Sequence, residues 1–180
     1  EKFLQISHQT IYSFIYENND YKKLLRFGRK RGIGRRRQAS IRKEKLLHIS
    51  QRPISANNRS RMGHWERGGM YGANKKQLLV CIERKTRLVR IEKMNSTRAQ
   101  DVHNLTSKAL KKDKVLSITN DNGTEFRRPH LSKYPIYYCD PMKPNQRGSV
   151  ENVIGSLRRL VKRTTDLEKM TDKRVKEIES

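Results

Sequence analysis

Two carboxylates in this 180-residue chain stand where phosphodiester chemistry could be arranged. Asp121 follows the apolar run Val115-Leu116-Ser117-Ile118-Thr119 and opens Asp121-Asn122-Gly123, a triplet that lets a strand end in a sharp turn. Glu151 follows Gln146-Arg147-Gly148-Ser149-Val150 and begins an amphipathic helix. Attack on a phosphodiester needs an activated water or hydroxyl and a stabilised leaving oxygen. Two hard cations about 4 Å apart supply both, and carboxylates are the ligands that hold them. One carboxylate at a strand end and one on a later helix provide two sides of such a site, which ordinarily takes a third acid from an earlier strand. Where that strand is expected, the chain has His64-Trp65-Glu66-Arg67-Gly68-Gly69. Each acid also has an ordinary reading: Asp121 as a turn residue, and Glu151 as an acid favoured by the positive end of a helix. Glu151 shares its helix flank with Gly155, Arg158 and Lys162, so these two cations are placed to meet phosphate further along the helix.

The elements that must position these residues follow from periodicity. Residues 64–71 form a predicted first strand. Leu78-Leu79-Val80-Cys81-Ile82, within 77–83, suits a buried central strand, and 88–94 alternates as its hairpin return. Thr97 and Gln100 have the spacing of a capping box, ahead of a helix faced by Ala99, Val102, Leu105, Thr106, Ala109 and Leu110. Residues 115–119 and 135–139 are two more strands, and Val150, Val153, Ile154, Leu157, Leu160 and Val161 form the apolar stripe of a last helix. Three strands, a helix, two strands and a helix predict an α/β fold, a mixed sheet flanked by helices. Before it, Ser7 is placed as the N-cap of a helix carrying Ile11, Phe14 and Ile15 and ending near Asn18, with Ile6 and Ile11 as a staple and a short second helix around 21–27.

The formal charge of +24 calls for a polyanionic partner, nucleic acid first. Between Lys22 and Lys45 there are twelve Lys or Arg, Arg35, Arg36 and Arg37 among them, against one acid, Glu44; this is a basic arm suited to a polyanion. Apolar content of 33% fits one compact domain with basic extensions rather than two full domains. Cys81 and Cys139 have no Cys or His partner at zinc spacing, which makes them buried free thiols in a reducing cytoplasm. No apolar run reaches the ~20 residues of a membrane span, and no signal peptide is visible. The chain starts at Glu1 without methionine and is read as a fragment missing an N-terminal part.

Several separate stretches, in order, resemble the insertion-sequence transposases of the IS-thirty type, in the DDE transposase and retroviral-integrase superfamily. They are Ile6-Ser7-His8-Gln9-Thr10-Ile11-Tyr12, Arg59-Ser60-Arg61-Met62-Gly63-His64-Trp65-Glu66, Glu83-Arg84-Lys85-Thr86-Arg87, Asp121-Asn122-Gly123-Thr124-Glu125-Phe126, Cys139-Asp140-Pro141 and Gln146-Arg147-Gly148-Ser149-Val150-Glu151-Asn152. The resemblance implies an RNase H-like core and Mg²⁺-dependent cleavage and strand transfer, with Mn²⁺ as a substitute, at the inverted-repeat ends of a mobile element. It implies Asp121 and Glu151 as catalytic, metal-binding acids. It implies double-stranded DNA as partner, contacted by Arg147, Arg158, Lys162 and the basic arm, a homo-oligomer when active, and a place at the nucleoid of a bacterial cytoplasm. The implied layout is a helical remnant at 1–27, a basic linker at 28–58, the catalytic core at 59–165 and a helical extension at 166–180.

The departures from that pattern govern the functional expectation. After Gly-His-Trp-Glu the family has Gly-Asp, whereas this chain has Arg67-Gly68, so the first metal-binding Asp is replaced by Gly68. The family's Trp before Gln-Arg-Gly is Asn145 here. Glu66 is a weak substitute: in a strand it faces the same side as Gly68 but lies about 6.8 Å away along it. Asp140 is assigned a turn role, His64 a hydrogen-bonding role and Trp65 a core role. The expectation is a transposase core that binds DNA and is impaired in catalysis. The alternatives are a DNA-binding remnant without enzymatic activity and a general nuclease of the same fold.

Overall fold

The computed structural model describes residues 7–22, 46–73, 76–141 and 143–179. They fall into two compact units, 1–43 and 44–180. In the first, α1 (His8–Glu17) is followed by α2 (Asn19–Lys22). Ser7 caps α1 by accepting the Thr10 N–H at 3.2 Å, and Asn18 ends it, as the sequence predicts. The Phe14 and Tyr21 rings meet at 5.7 Å. Ile6, and with it the staple, lies outside the described residues, as do Arg35, Arg36 and Arg37.

The second unit opens with β1 (Leu47–His48), a turn of 3₁₀ helix and α3 (Ile54–Asn57). Next come β2 (His64–Tyr71), β3 (Gln77–Glu83), β4 (Val89–Met94), α4 (Ala99–Ala109), β5 (Ser117–Asn120), β6 (Ile136–Tyr138), α5 (Gly148–Leu160) and α6 (Asp172–Glu179). They build one six-stranded mixed sheet in the order β1-β6-β5-β2-β3-β4. β2, β3 and β4 are an antiparallel meander, while β5 runs parallel to β2 and β6 parallel to β5. β1 pairs in parallel with β6, so residues 47–48 belong to the sheet although the implied layout places them in the basic linker. Two residues are too few to show a period, which is why this strand was not read from sequence.

Alternation along β2 sorts its side chains between two cores. Trp65 faces one with Leu79, Cys81, Ile118, Phe126 and α4 residue Val102. Met70 faces the other with Leu78, Val80, Ile82, α5 residues Val150 and Leu157, and α6 residue Val175. The helices therefore lie on opposite faces, α4 on one and α5 with α6 on the other. Two sequence expectations need correction. Leu160 is 60% exposed at the last residue of α5, outside the stripe that buries Val150, Leu157 and Val161. The Thr97–Gln100 capping box does not form: α4 starts one residue later, with Arg98 at the N-cap and no side-chain cap, while Gln100 turns to Asn104. Cys81 and Cys139 are free and buried. Among the described residues no helix is long and apolar enough to cross a membrane.

Arg67 is fully buried on the α4 side. It donates to Asn120 Oδ1 at 3.1 Å and Thr106 Oγ1 at 2.6 Å and lies 4.8 Å over the Phe126 ring, but its Nη2 has no partner among the described residues. Burial pushes this guanidinium down to about 10. A buried cation without a carboxylate against it costs stability. Arg67→Met is expected to raise stability by about 1–3 kcal/mol, and the thermal midpoint by about 2–4 °C for each kcal/mol. A fall in the midpoint would show that the Asn120 and Thr106 bonds outweigh the desolvation.

Candidate active site

The site forms where β2 and β5 run side by side under the start of α5. Their register pairs Glu66 with Thr119. Two residues further along both parallel strands stand Gly68 and Asp121, with Asp121 just past the end of β5. Asp121 Oδ1 accepts the Gly123 N–H at 2.9 Å, the turn expected of Asp-Asn-Gly. Oδ2 instead points to α5, where Arg147 Nη2 donates to it at 2.8 Å. The same nitrogen lies 3.9 Å from Glu151 Oε1, and Arg147 Nη1 donates to the Arg67 carbonyl at 2.9 Å. The fold thus brings Asp121 and Glu151 to one place, as the sequence predicts, and sets the Arg147 guanidinium between them. Sequence assigned Arg147 to DNA contact alone; nothing in its spacing indicated this bridge.

Gly68 closes the group. A Cβ on it would lie 3.3 Å from Arg147 Nη1 and 3.4 Å from Ile154 Cδ1 and Val150 Cγ2. A side chain at this position would therefore meet the guanidinium that contacts the two acids. With glycine there, two carboxylates at 41% and 38% exposure share an arginine that is 12% exposed. Among the described residues no three or more His, Cys, Asp or Glu side chains are grouped to hold a metal ion. A pair of hard cations needs more anionic oxygen than this and no resident cation among the ligands. The residues present do not fit the Mg²⁺ pair that the sequence resemblance implies.

Glu66 does not fill the gap. It is wholly buried, ion-paired to Arg84 through Oε1, and its Oε2 accepts the Val150 N–H at 2.9 Å. Both oxygens are committed to anchoring α5 and Arg84 to β2. Asp140 accepts from His48 Nε2 at 2.8 Å and from Gln146 Nε2 at 3.0 Å and pairs with Lys143 at 3.1 Å. His48, then Lys143 and Gln146, hold its carboxyl well below the usual range, as suits a loop clamp. His64 bonds Ser117 Oγ at 2.8 Å and Ser55 Oγ at 3.0 Å, and burial lowers its pKa. Trp65 is a core residue whose Nε1 donates to the Lys114 carbonyl at 3.0 Å.

Further along α5, Arg158 is part-buried, and its Nη1 is a buried donor with no acceptor among the described residues. Burial, then the neighbouring Arg163, lowers its pKa. Lys162 is exposed just beyond the helix. Sequence reasoning missed Arg52 and Arg84. Both are buried in this unit; Arg52 lies in no motif, and Arg84 lies in the matched Glu83-Arg84-Lys85-Thr86-Arg87 stretch without being singled out there.

No family model matches the chain. It is 34% identical, over 91% of its length, to the transposase for insertion sequence element IS1086 of Cupriavidus metallidurans, of which it covers 53%. It is 30% identical, over 95% of its length, to the transposase InsI for insertion sequence element IS30A of Escherichia coli K12, of which it covers 49%. The chain spans about half the length of the curated relatives it matches. Among solved structures, a chain of the simian T-cell lymphotropic virus intasome complex with PP2A regulatory subunit B56 gamma matches 65% of this chain and 46% of its own, with a TM-score of 0.54 at 16% identity. That likeness is one of fold, an RNase H-like sheet flanked by helices.

Proposed function

We infer, on the premise that this chain is similar over nearly its whole length to about half of an IS30-type insertion-sequence transposase, that it is the DNA-handling core of such a protein with impaired strand chemistry. Its substrate on this reading is double-stranded DNA at the ends of a mobile element, held by a homo-oligomer. The observation that carries the impairment is Gly68 beside Asp121 and Glu151, with Arg147 supplying the positive charge between them. A site built this way holds its carboxylates without divalent ions and gives an attacking water no activating metal. The same observation favours the binding-only alternative over a general nuclease, because both readings of a nuclease and an intact transposase need the acids free for cations.

The cationic surface is what remains able to act. Arg158 is part-buried on α5, Lys162 is exposed just beyond that helix, and the chain carries +24 overall. DNA phosphates are the natural counter-charges for such a surface, and neutralising several of them releases counterions. Affinity for a duplex should therefore fall steeply with salt, with a log–log slope of about −4 or steeper, and should survive a chelator. Arg158→Ala and Lys162→Ala should each lower the slope by roughly one without sequence preference. A flat slope in fluorescence-anisotropy titrations would remove DNA from the reading.

A further inference from the structure

Beside the start of α5 the second unit contains an open cleft of about 420 Å³. Arg52, Arg59 and Arg84 line it, together with Gly148 and Ser149 from the first turn of α5 and the single carboxylate Glu66. The three cations are not equivalent. Glu66 is spent on Arg84, which also donates to the Ala56 carbonyl at 2.8 Å. Arg52 is 8% exposed and donates only to neutral oxygens, Asn57 Oδ1 at 2.7 and 2.9 Å and Thr119 Oγ1 at 3.1 Å. Arg59 stands exposed at the lip. The cleft therefore carries an excess of about two positive charges, with Arg52 desolvated. Burial, then the like charge of Arg84, pulls the Arg52 guanidinium below its ordinary value. The helix start adds its partial positive charge to the same space.

We propose that this cleft binds a phosphodiester group of the nucleic-acid strand, a second anchoring point beside the Asp121–Glu151 pair. The assignment rests on the DNA reading above. The volume is in the range that takes a nucleotide-sized group. Planar guanidinium groups present paired donors that match phosphate oxygens. The lip residues Gln146, Gly148 and Ser149 flank Arg147 in sequence, so a strand with one phosphate in the cleft would run on past the start of α5.

Arg52 and Arg84 are buried in the fold, so the test uses two exposed residues of the lip, Arg59→Glu and Ser50→Trp. The first reverses a charge, and the second obstructs the cleft without changing charge. Thermal midpoints confirm folding, and affinity of the full chain for a fluorescent 20-mer duplex is followed across salt. Arg59→Glu is expected to weaken binding about tenfold at low salt and flatten the slope by roughly one. Ser50→Trp is expected to weaken it several-fold at matched midpoint. A steep slope in the parent chain with both variants unchanged overturns the cleft assignment and leaves DNA binding standing, whereas a flat parent slope overturns both. Inorganic phosphate is titrated alongside. If it displaces the duplex only at millimolar concentration the nucleic-acid assignment is supported; if it binds as tightly as the duplex, the cleft is a free-phosphate site and the assignment falls.

Discussion

Gly68→Asp is expected to increase Mg²⁺-dependent cleavage and joining of element-end DNA by about 100-fold or more over the parent chain. The position is open to the change. The tightest contact of a new Cβ is the far end of the Arg147 side chain at 3.3 Å, which can move, and the others are ordinary contacts at 3.4 Å. The new carboxylate would face Asp121 and Glu151 across Arg147, placing three negative charges around one positive charge where there are now two. That balance favours a divalent cation displacing the guanidinium. Calorimetric titration with Mn²⁺ should show binding by the variant and little by the parent, and a strand-transfer assay on the same samples reads the chemistry. Robust activity of the parent chain would sink the claim of impairment. A variant that binds no divalent ion would show that Arg147 holds its place against the third acid.

Glu66→Ala is expected to cost about 3–5 kcal/mol, because it strands a buried arginine. Arg84 would keep only the Ala56 carbonyl as acceptor, and the Val150 N–H at the start of α5 would lose its bond. The loss should lower the thermal midpoint by roughly 6–20 °C. Pairing the change with Arg84→Ala should recover part of the loss, since the two residues share one interaction. This result also separates two roles for Glu66. A structural anchor produces a large stability change, whereas a substitute metal ligand would leave stability nearly intact and abolish whatever divalent-dependent activity the chain has. A cost below about 1 kcal/mol would overturn the anchor role.

The sheet and its helices were legible because the core strands and α4 and α5 carry long, strict patterns. Leu78 to Ile82 is an unbroken apolar run, and Val150, Leu157 and Val161 hold helical spacing. Meeting of Asp121 and Glu151 was legible from separate motifs and their order along the chain. What sequence could not give was contact geometry. Arg147 is one cation among forty-two, and only the fold shows it bridging two acids. Arg52 and Arg84 look like surface residues until the four-residue helix α3, with Thr119 and Glu66, takes up their guanidinium groups. Leu160 failed in the opposite direction, because the helix ends at the residue where its stripe would have continued.

The parallel pairing of Leu47 with Tyr137 has a consequence for the order in which the molecule assembles. The β2–β4 meander joins consecutive strands and can form as soon as they are synthesised. β1 must wait until nearly the whole sheet has left the ribosome, because its partner strand lies far downstream, and such non-local parallel closure is slow. The segment carrying Arg52 and Arg59 follows directly from β1. In hydrogen exchange this edge should therefore open first and protect last, so the anchoring surface is the part of the fold whose presence depends most on everything else being complete.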